Sequence, residues 1–96
     1  MDLYEQADAV CDQRTFLAFV RALAADREDE VAKERWKPSS PYGPGANGWE
    51  NGTIEAFLNA AASWAEDTEF GKTQGFLEHN PWRQFAAFLY CGKAYE

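Results

Sequence analysis

Between Lys37 and Thr53 the chain crosses a stretch that no regular element can occupy, because it holds three of the four prolines and four of the seven glycines. Proline fixes φ and removes an N–H, and glycine loses the most backbone entropy on ordering, so the pair ends helices and strands alike. The sequence must fold as two element-forming halves joined by an irregular segment. No run of five or more residues alternates apolar and polar, and no hairpin dipeptide separates β-rich runs, so neither half signals strands. The fold class read from this is all-α, a compact bundle of about four helices. The Pro/Gly-rich loop, residues 37–53, lies between the second and third. At 96 residues the chain is sized for a single helical domain, 1–96, and 46% hydrophobic residues are too many for a disordered one.

Four amphipathic stretches fill the two halves. Leu3, Ala7, Val10 and Cys11 recur at helical spacing and predict a short first helix over Asp2–Cys11. Asp12 is an N-cap signal for a second, on which Phe16, Val20 and Leu23 align with Leu17, Phe19 and Ala24 flanking. From Ala24 to Trp36 the apolar stripe thins to Val31, while Asp29/Lys33, Arg27/Glu30 and Glu34/Lys37 supply ion pairs, the pattern of a solvated extension. Unbroken, this helix would be ~35 Å long against a domain ~32 Å across, so it should bend near Asp26 or project. Asn51 or Thr53 caps a third helix with Ile54, Phe57, Leu58, Ala61, Trp64 and Ala65 on its buried face. Phe70 to Asn80 reads as a loop anchored by Phe70, Phe76 and Leu77. Asn80-Pro81 then starts a fourth helix that buries Trp82, Phe85, Ala86, Leu89 and Gly92, widened by Phe88 and Tyr95, and turns Cys91 away. Trp36, Tyr42 and Trp49 are interleaved with the loop's breakers; they are expected to pack down as lids, with a partner-binding aromatic patch as the alternative.

Charge narrows the function. Nine Lys and Arg against 16 Asp and Glu give −7, a field that repels nucleic acid and anionic membranes. An acidic N-terminus and the lack of any apolar run near ~20 residues point to a cytoplasmic protein, in which Cys11 and Cys91 stay unpaired. Chemistry-bearing patterns are missing: His79 sits in a loop with only adjacent Glu78 for company, and Ser39, Ser40 and Ser63 lack a nucleophile elbow. GPGANG has neither the P-loop lysine nor a preceding strand. The acids Glu50, Glu55, Glu66, Asp67 and Glu69 match neither a calcium loop nor a di-metal bundle. No catalytic residue, metal or cofactor is therefore expected, and the protein reads as a non-enzyme. Those five acids nonetheless give residues 50–69 a local charge of −5 with no base. Glu55, Asn59, Ala62 and Glu66 share one flank of the third helix and Asp67 turns to the other. Carboxylates near a helix C-terminus oppose the macrodipole, so Glu66, Asp67 and Glu69 are slightly unfavourable for folding and read either as a binding patch or as a solvated face. Arg14 and Arg21, on the outer side of the second helix, are either solvated or tied to acids of the first.

Trp49-Glu50-Asn51-Gly52-Thr53-Ile54, followed by Phe57-Leu58, Ala61, Trp64 and Asp67, then Pro81-Trp82-Arg83, Phe85-Ala86 and Tyr95-Glu96, resembles a family of small acidic bacterial proteins of unknown function. The likeness covers the second to fourth helices, and the segment Pro38 to Gly48 is longer than that family's usual pattern. In the motif, Trp49, Trp64 and Trp82 read as core and Asn51 as a cap. Such proteins are similar in size and charge to the immunity proteins of toxin systems. The resemblance therefore implies a non-enzymatic inhibitor that neutralises a basic cognate toxin, a nuclease above all, through an acidic surface. The partner-binding residues expected are Glu55, Glu66, Asp67 and Glu69, with Trp36 and Tyr42 as aromatic anchors. The alternatives are a nucleic-acid mimic of phage or defence origin, which needs a continuous acidic track that Arg14, Lys33, Arg35 and Lys37 interrupt, and a small accessory or regulatory binding domain.

Overall fold

The structure, a computed structural model, describes residues 1–76 and 79–96. It contains helices α1 (Leu3–Asp8), α2 (Gln13–Trp36), α3 (Ile54–Thr68) and α4 (Pro81–Gly92), and one 3₁₀ turn, Lys72–Gln74. The described residues form no strand. The all-α reading holds, and the expected anchor Leu77 and neighbour Glu78 lie outside the described residues.

Every helix begins on a side chain that takes up an orphan N–H. Asp2 and Asp12 form capping boxes with Glu5 and Thr15, Thr53 accepts from the Ala56 N–H, and Asn80 accepts from the Trp82 N–H beside a first-turn proline. Thr53, not Asn51, is thus the cap of α3. The second helix continues through Asp26 as a single element. It runs unbroken and, at 1.5 Å per residue, gives the molecule much of its 41 Å long axis.

The hub is α4, which packs on α1, α2 and α3, whereas α2 and α3 do not pack on each other. Its contact with α3 is close because Gly92 has no side chain: a Cβ there would press on the Phe57 carbonyl and the Ala61 methyl. Ala7, Val10, Phe19, Leu23, Trp49 and Ala86 form the buried centre, with Leu3, Phe16, Phe57, Trp82, Leu89 and Tyr90 around it. Phe19, placed on the flank by its spacing, is the most deeply buried large apolar side chain, and Trp64 is buried as expected.

Three expectations about the core are corrected. Ile54 and Leu58 are 79% and 50% exposed, because α4 is the one α-helix among the described residues that packs on α3 and the side of its apolar face turned toward α2 has no helix to bury against. Phe85 stays half-exposed, with its ring edge toward Phe16 of α2. Cys91 does not face solvent but is half-buried, and both cysteines are unpaired.

Candidate functional site

The Pro/Gly-rich segment is a strap folded onto the second half of α2, and carboxylates of that helix hold it. Glu30 is 2% exposed; its Oε1 accepts the N–H groups of Asn47 and Trp49 at 3.0 and 3.2 Å, and its Oε2 takes Arg27 at 2.7 Å. One turn on, Glu34 accepts the Ser39 N–H and hydroxyl and the Ala46 N–H, so the expected Glu34/Lys37 pair is replaced by loop donors. Those three hydrogen bonds, led by the Ser39 hydroxyl, hold the Glu34 carboxyl below its ordinary pKa. Asp29 is held down likewise, first by the Asn47 amide and then by Lys33, its expected i,i+4 partner at 2.9 Å. A strap too rich in proline and glycine for helix or strand leaves its N–H groups without partners, and an acidic helix face supplies the acceptors.

Trp49 docks at the near end of this face. Its indole N–H donates to Asp26 at 2.8 Å, and the ammonium of Lys93 meets the same oxygen at 2.9 Å. Arg27 and Lys93 also lie 5.8 and 5.6 Å from the ring centre, where the π face attracts them. The following residues close off α4: the N–H groups of Glu50 and Asn51 both donate to the Lys93 carbonyl, and the Asn51 amide donates to the Gly92 and Tyr95 carbonyls. The Trp-Glu-Asn string is therefore a staple between α2 and the end of α4. Its glutamate side chain is the exception: it is exposed, and loss of solvent and the nearby Glu96 carboxylate push its pKa up.

The lid expectation holds for Trp49 and fails for the other two loop aromatics. Trp36 is 90% and Tyr42 97% exposed, since the strap turns its donors to Glu30 and Glu34 and does not fold over either ring. Around them Arg35 and Lys37 are exposed and unpaired among the described residues, so the tip is locally cationic.

On α3 the carboxylates are of another kind. Glu55, Glu66 and Glu69 are exposed, and no side chain among the described residues pairs with them. Asp67, on the other flank, accepts the Tyr95 hydroxyl at 2.6 Å. Glu69 closes the helix in the left-handed region at φ 52°, and Phe70 follows at φ 57°, stacked on Phe88. An acid at a helix C-terminus in a conformation that favours glycine is doubly unfavourable for folding. The fold sets exposed Ile54 and Leu58 beside Glu55, with Glu66 on the same flank ~12 Å beyond Leu58 along α3. It does not bring Trp36 and Tyr42 there: Gly52, at the start of α3, meets Arg27, and Trp36 lies ~13 Å farther along α2.

Between α2 and α3, above Leu89 of α4, runs an open apolar groove of about 470 Å³ lined by Val20, Leu23, Ala24, Ile54, Phe57 and Leu58, with Arg27 and Trp49 at one end. Sequence reasoning missed it by assigning Ile54 and Leu58 to the core. His79 is exposed just ahead of the Asn80 cap, and Arg14 and Arg21 are exposed on α2. No three His, Cys, Asp or Glu side chains among the described residues converge as a metal cage would, and no described helix is long and apolar enough to cross a membrane.

Fold and surface together define a small all-helical protein whose acids divide between holding a loop and facing solvent. It belongs to the Family of unknown function (DUF7660), whose pattern matches residues 12–96. No curated protein and no solved structure matches the chain.

Proposed function

We infer that this protein is a non-enzymatic inhibitor of the immunity type, which binds a basic protein, a toxin nuclease above all, through the acidic flank of α3. The observation that carries this is the division among the carboxylates. Of the α2 acids, Asp26, Asp29, Glu30 and Glu34 hold the strap, whereas Glu55, Glu66 and Glu69 have no internal partner, and Glu66 and Glu69 stand where they burden the fold. Free carboxylates beside exposed Ile54 and Leu58 combine the two parts of a protein interface, an apolar contact to exclude water and a charged rim to steer the partner. These two residues take the anchoring role that Trp36 and Tyr42 were expected to fill. The mimic reading loses support, because Asp26, Glu30 and Glu34 turn to the strap and leave no acidic track along α2.

Co-expression with each basic protein found encoded beside this gene tests the reading. The inhibitor should co-purify with it and protect the cell, and Glu55→Lys/Glu66→Lys should lose both effects while keeping the native circular dichroism. A toxin that kills regardless, and does not co-purify, would overturn it.

A further inference from the structure

The molecule carries at the tip of α2 the chemistry that its groove would accept. Trp36 at the tip of α2 and Tyr42 in the strap that follows it are almost wholly exposed, with the unpaired cations Arg35 and Lys37 on either side of the indole in sequence. The carboxylates that could neutralise this tip are occupied: Glu34 by Ser39 and Ala46, Asp29 by Lys33 and Asn47. The groove between α2 and α3 is apolar, and exposed acids stand next in sequence to residues that line it, Glu28 after Arg27, Glu50 after Trp49 and Glu55 after Ile54. The one cation lining it, Arg27, is already paired with Glu30.

We propose that the occupant of this groove is the tip of α2 from a second copy of the chain, Trp36 and Tyr42 lying on Leu58 and Ile54 while Arg35 and Lys37 meet the acidic rim. The proposal rests on the reading above in taking the groove face as the docking face, and it adds a regulation of that face: self-association occupies what a partner would need. In this arrangement each copy offers its tip to the next and its groove to the one before, a heterologous contact that grows head to tail and does not close as a dimer. Two aromatic side chains bury ~150–250 Å² each, which keeps the contact at the small, transient end of protein interfaces. At physiological ionic strength the Debye length is ~8 Å, so the −7 carried by each copy is screened at a distance while the facing charges act at contact.

Sedimentation velocity of the full chain tests this, from ~10 µM to ~1 mM at ~0.15 M salt, the range in which so small a contact associates. The mean sedimentation coefficient should rise continuously with concentration, without a plateau at two copies. Trp36→Ala and Leu58→Glu alter exposed side chains, so each should keep the native circular dichroism and each alone should stay monomeric. An equimolar mixture should then form a one-to-one complex that stops there, because one variant keeps its groove and the other its tip. A wild-type chain monomeric throughout, a dimer that survives Trp36→Ala, or a mixture that stays monomeric would each overturn the proposal. Trp36→Ala spares the groove and the α3 acids, so protection in co-expression should persist with it. Self-association lost while wild-type protection holds removes this inference alone, and protection lost while the mixture still pairs removes the function alone.

Discussion

Gly45 of the strap lies so close to the buried carboxylate of Glu30 that a Cβ at that position would overlap both of its oxygens. Glu30 cannot yield, because Arg27, Asn47 and Trp49 hold it from two elements. The glycine is needed for its lack of a side chain, and the contact explains how a proline-rich segment lies flat along a helix.

Gly45→Ala should therefore lower the unfolding free energy by about 2 kcal/mol in urea titrations, as an overpacked interior does. Gly43→Ala is the control. Nothing lies within 4 Å of a Cβ there, and the change should be neutral or slightly stabilising.

Asn51 ties α3's lead-in to the end of α4 through two carbonyls, each about 3 Å from its amide. Asn51→Ala should cost about 1–2 kcal/mol, and Asn51→Asp no less, since a carboxylate would face the same carbonyl oxygens. Thr53→Ala, which removes the true cap of α3, should cost about 1 kcal/mol by the same measurement.

Stability should fall in acid, and the strap should be the first part to report it. Hydrogen bonds hold the Glu34 and Asp29 carboxyls below their ordinary values of 4.5 and 3.8. A depressed folded pKa adds stability that is complete above the unfolded value and is lost as pH falls through the folded one. Glu50 has the opposite sign: its raised pKa favours the fold when protonated, and that contribution fades as pH rises through the folded value. Trp49 fluorescence, isolated by replacing the other three tryptophans with phenylalanine, should change below pH 4.5. Glu34→Gln should abolish much of that dependence, and a strap signal flat down to global acid unfolding would contradict it.

The two thiols should separate cleanly. Burial pushes the Cys91 pKa up to about 11, whereas Cys11 is exposed ahead of α2. A thiol reagent at pH 8 should label one cysteine rapidly in the native protein and two in denaturant. Mass spectrometry should place the first label on Cys11.

Much of the fold is legible where a local signal and the tertiary demand agree. Asp12, Thr53 and Asn80-Pro81 mark helix starts that the structure keeps, and Trp64 is buried on the face its spacing gives it. The second half of α2 is legible as helix but not as a binding face for the strap. Its inward residues are carboxylates, and a search for apolar periodicity passes over them. The signal was available as Asp26, Glu30 and Glu34 at successive turns, ahead of a segment whose N–H groups no helix or strand could satisfy. Ile54 and Leu58 went astray for a different reason: periodicity shows which face is apolar, not whether a second helix arrives to cover it. Trp36 and Tyr42 were open to either reading in the sequence, because the fate of a loop aromatic depends on where the strap spends its length. Of the expected contact residues, the acids of α3 are solvent-facing, with Asp67 tied to Tyr95, and the two aromatics sit on another surface.

The division of the carboxylates can be measured without any partner. Glu30→Gln/Glu34→Gln and Glu55→Gln/Glu66→Gln each remove two negative charges from the same chain, so long-range electrostatics change alike. Equilibrium urea unfolding at pH 7 should show the α2 pair losing at least ~2 kcal/mol, because buried acceptors of charged and backbone donors are impaired. The α3 pair should change by less than ~1 kcal/mol, because relief of self-repulsion and of the clash between Glu66 and the helix C-terminus offsets the loss of a favourable first-turn carboxylate at Glu55. Equal losses from the two pairs, or a larger loss from α3, would mean that the acids of α3 serve the fold and are not held in reserve for a partner.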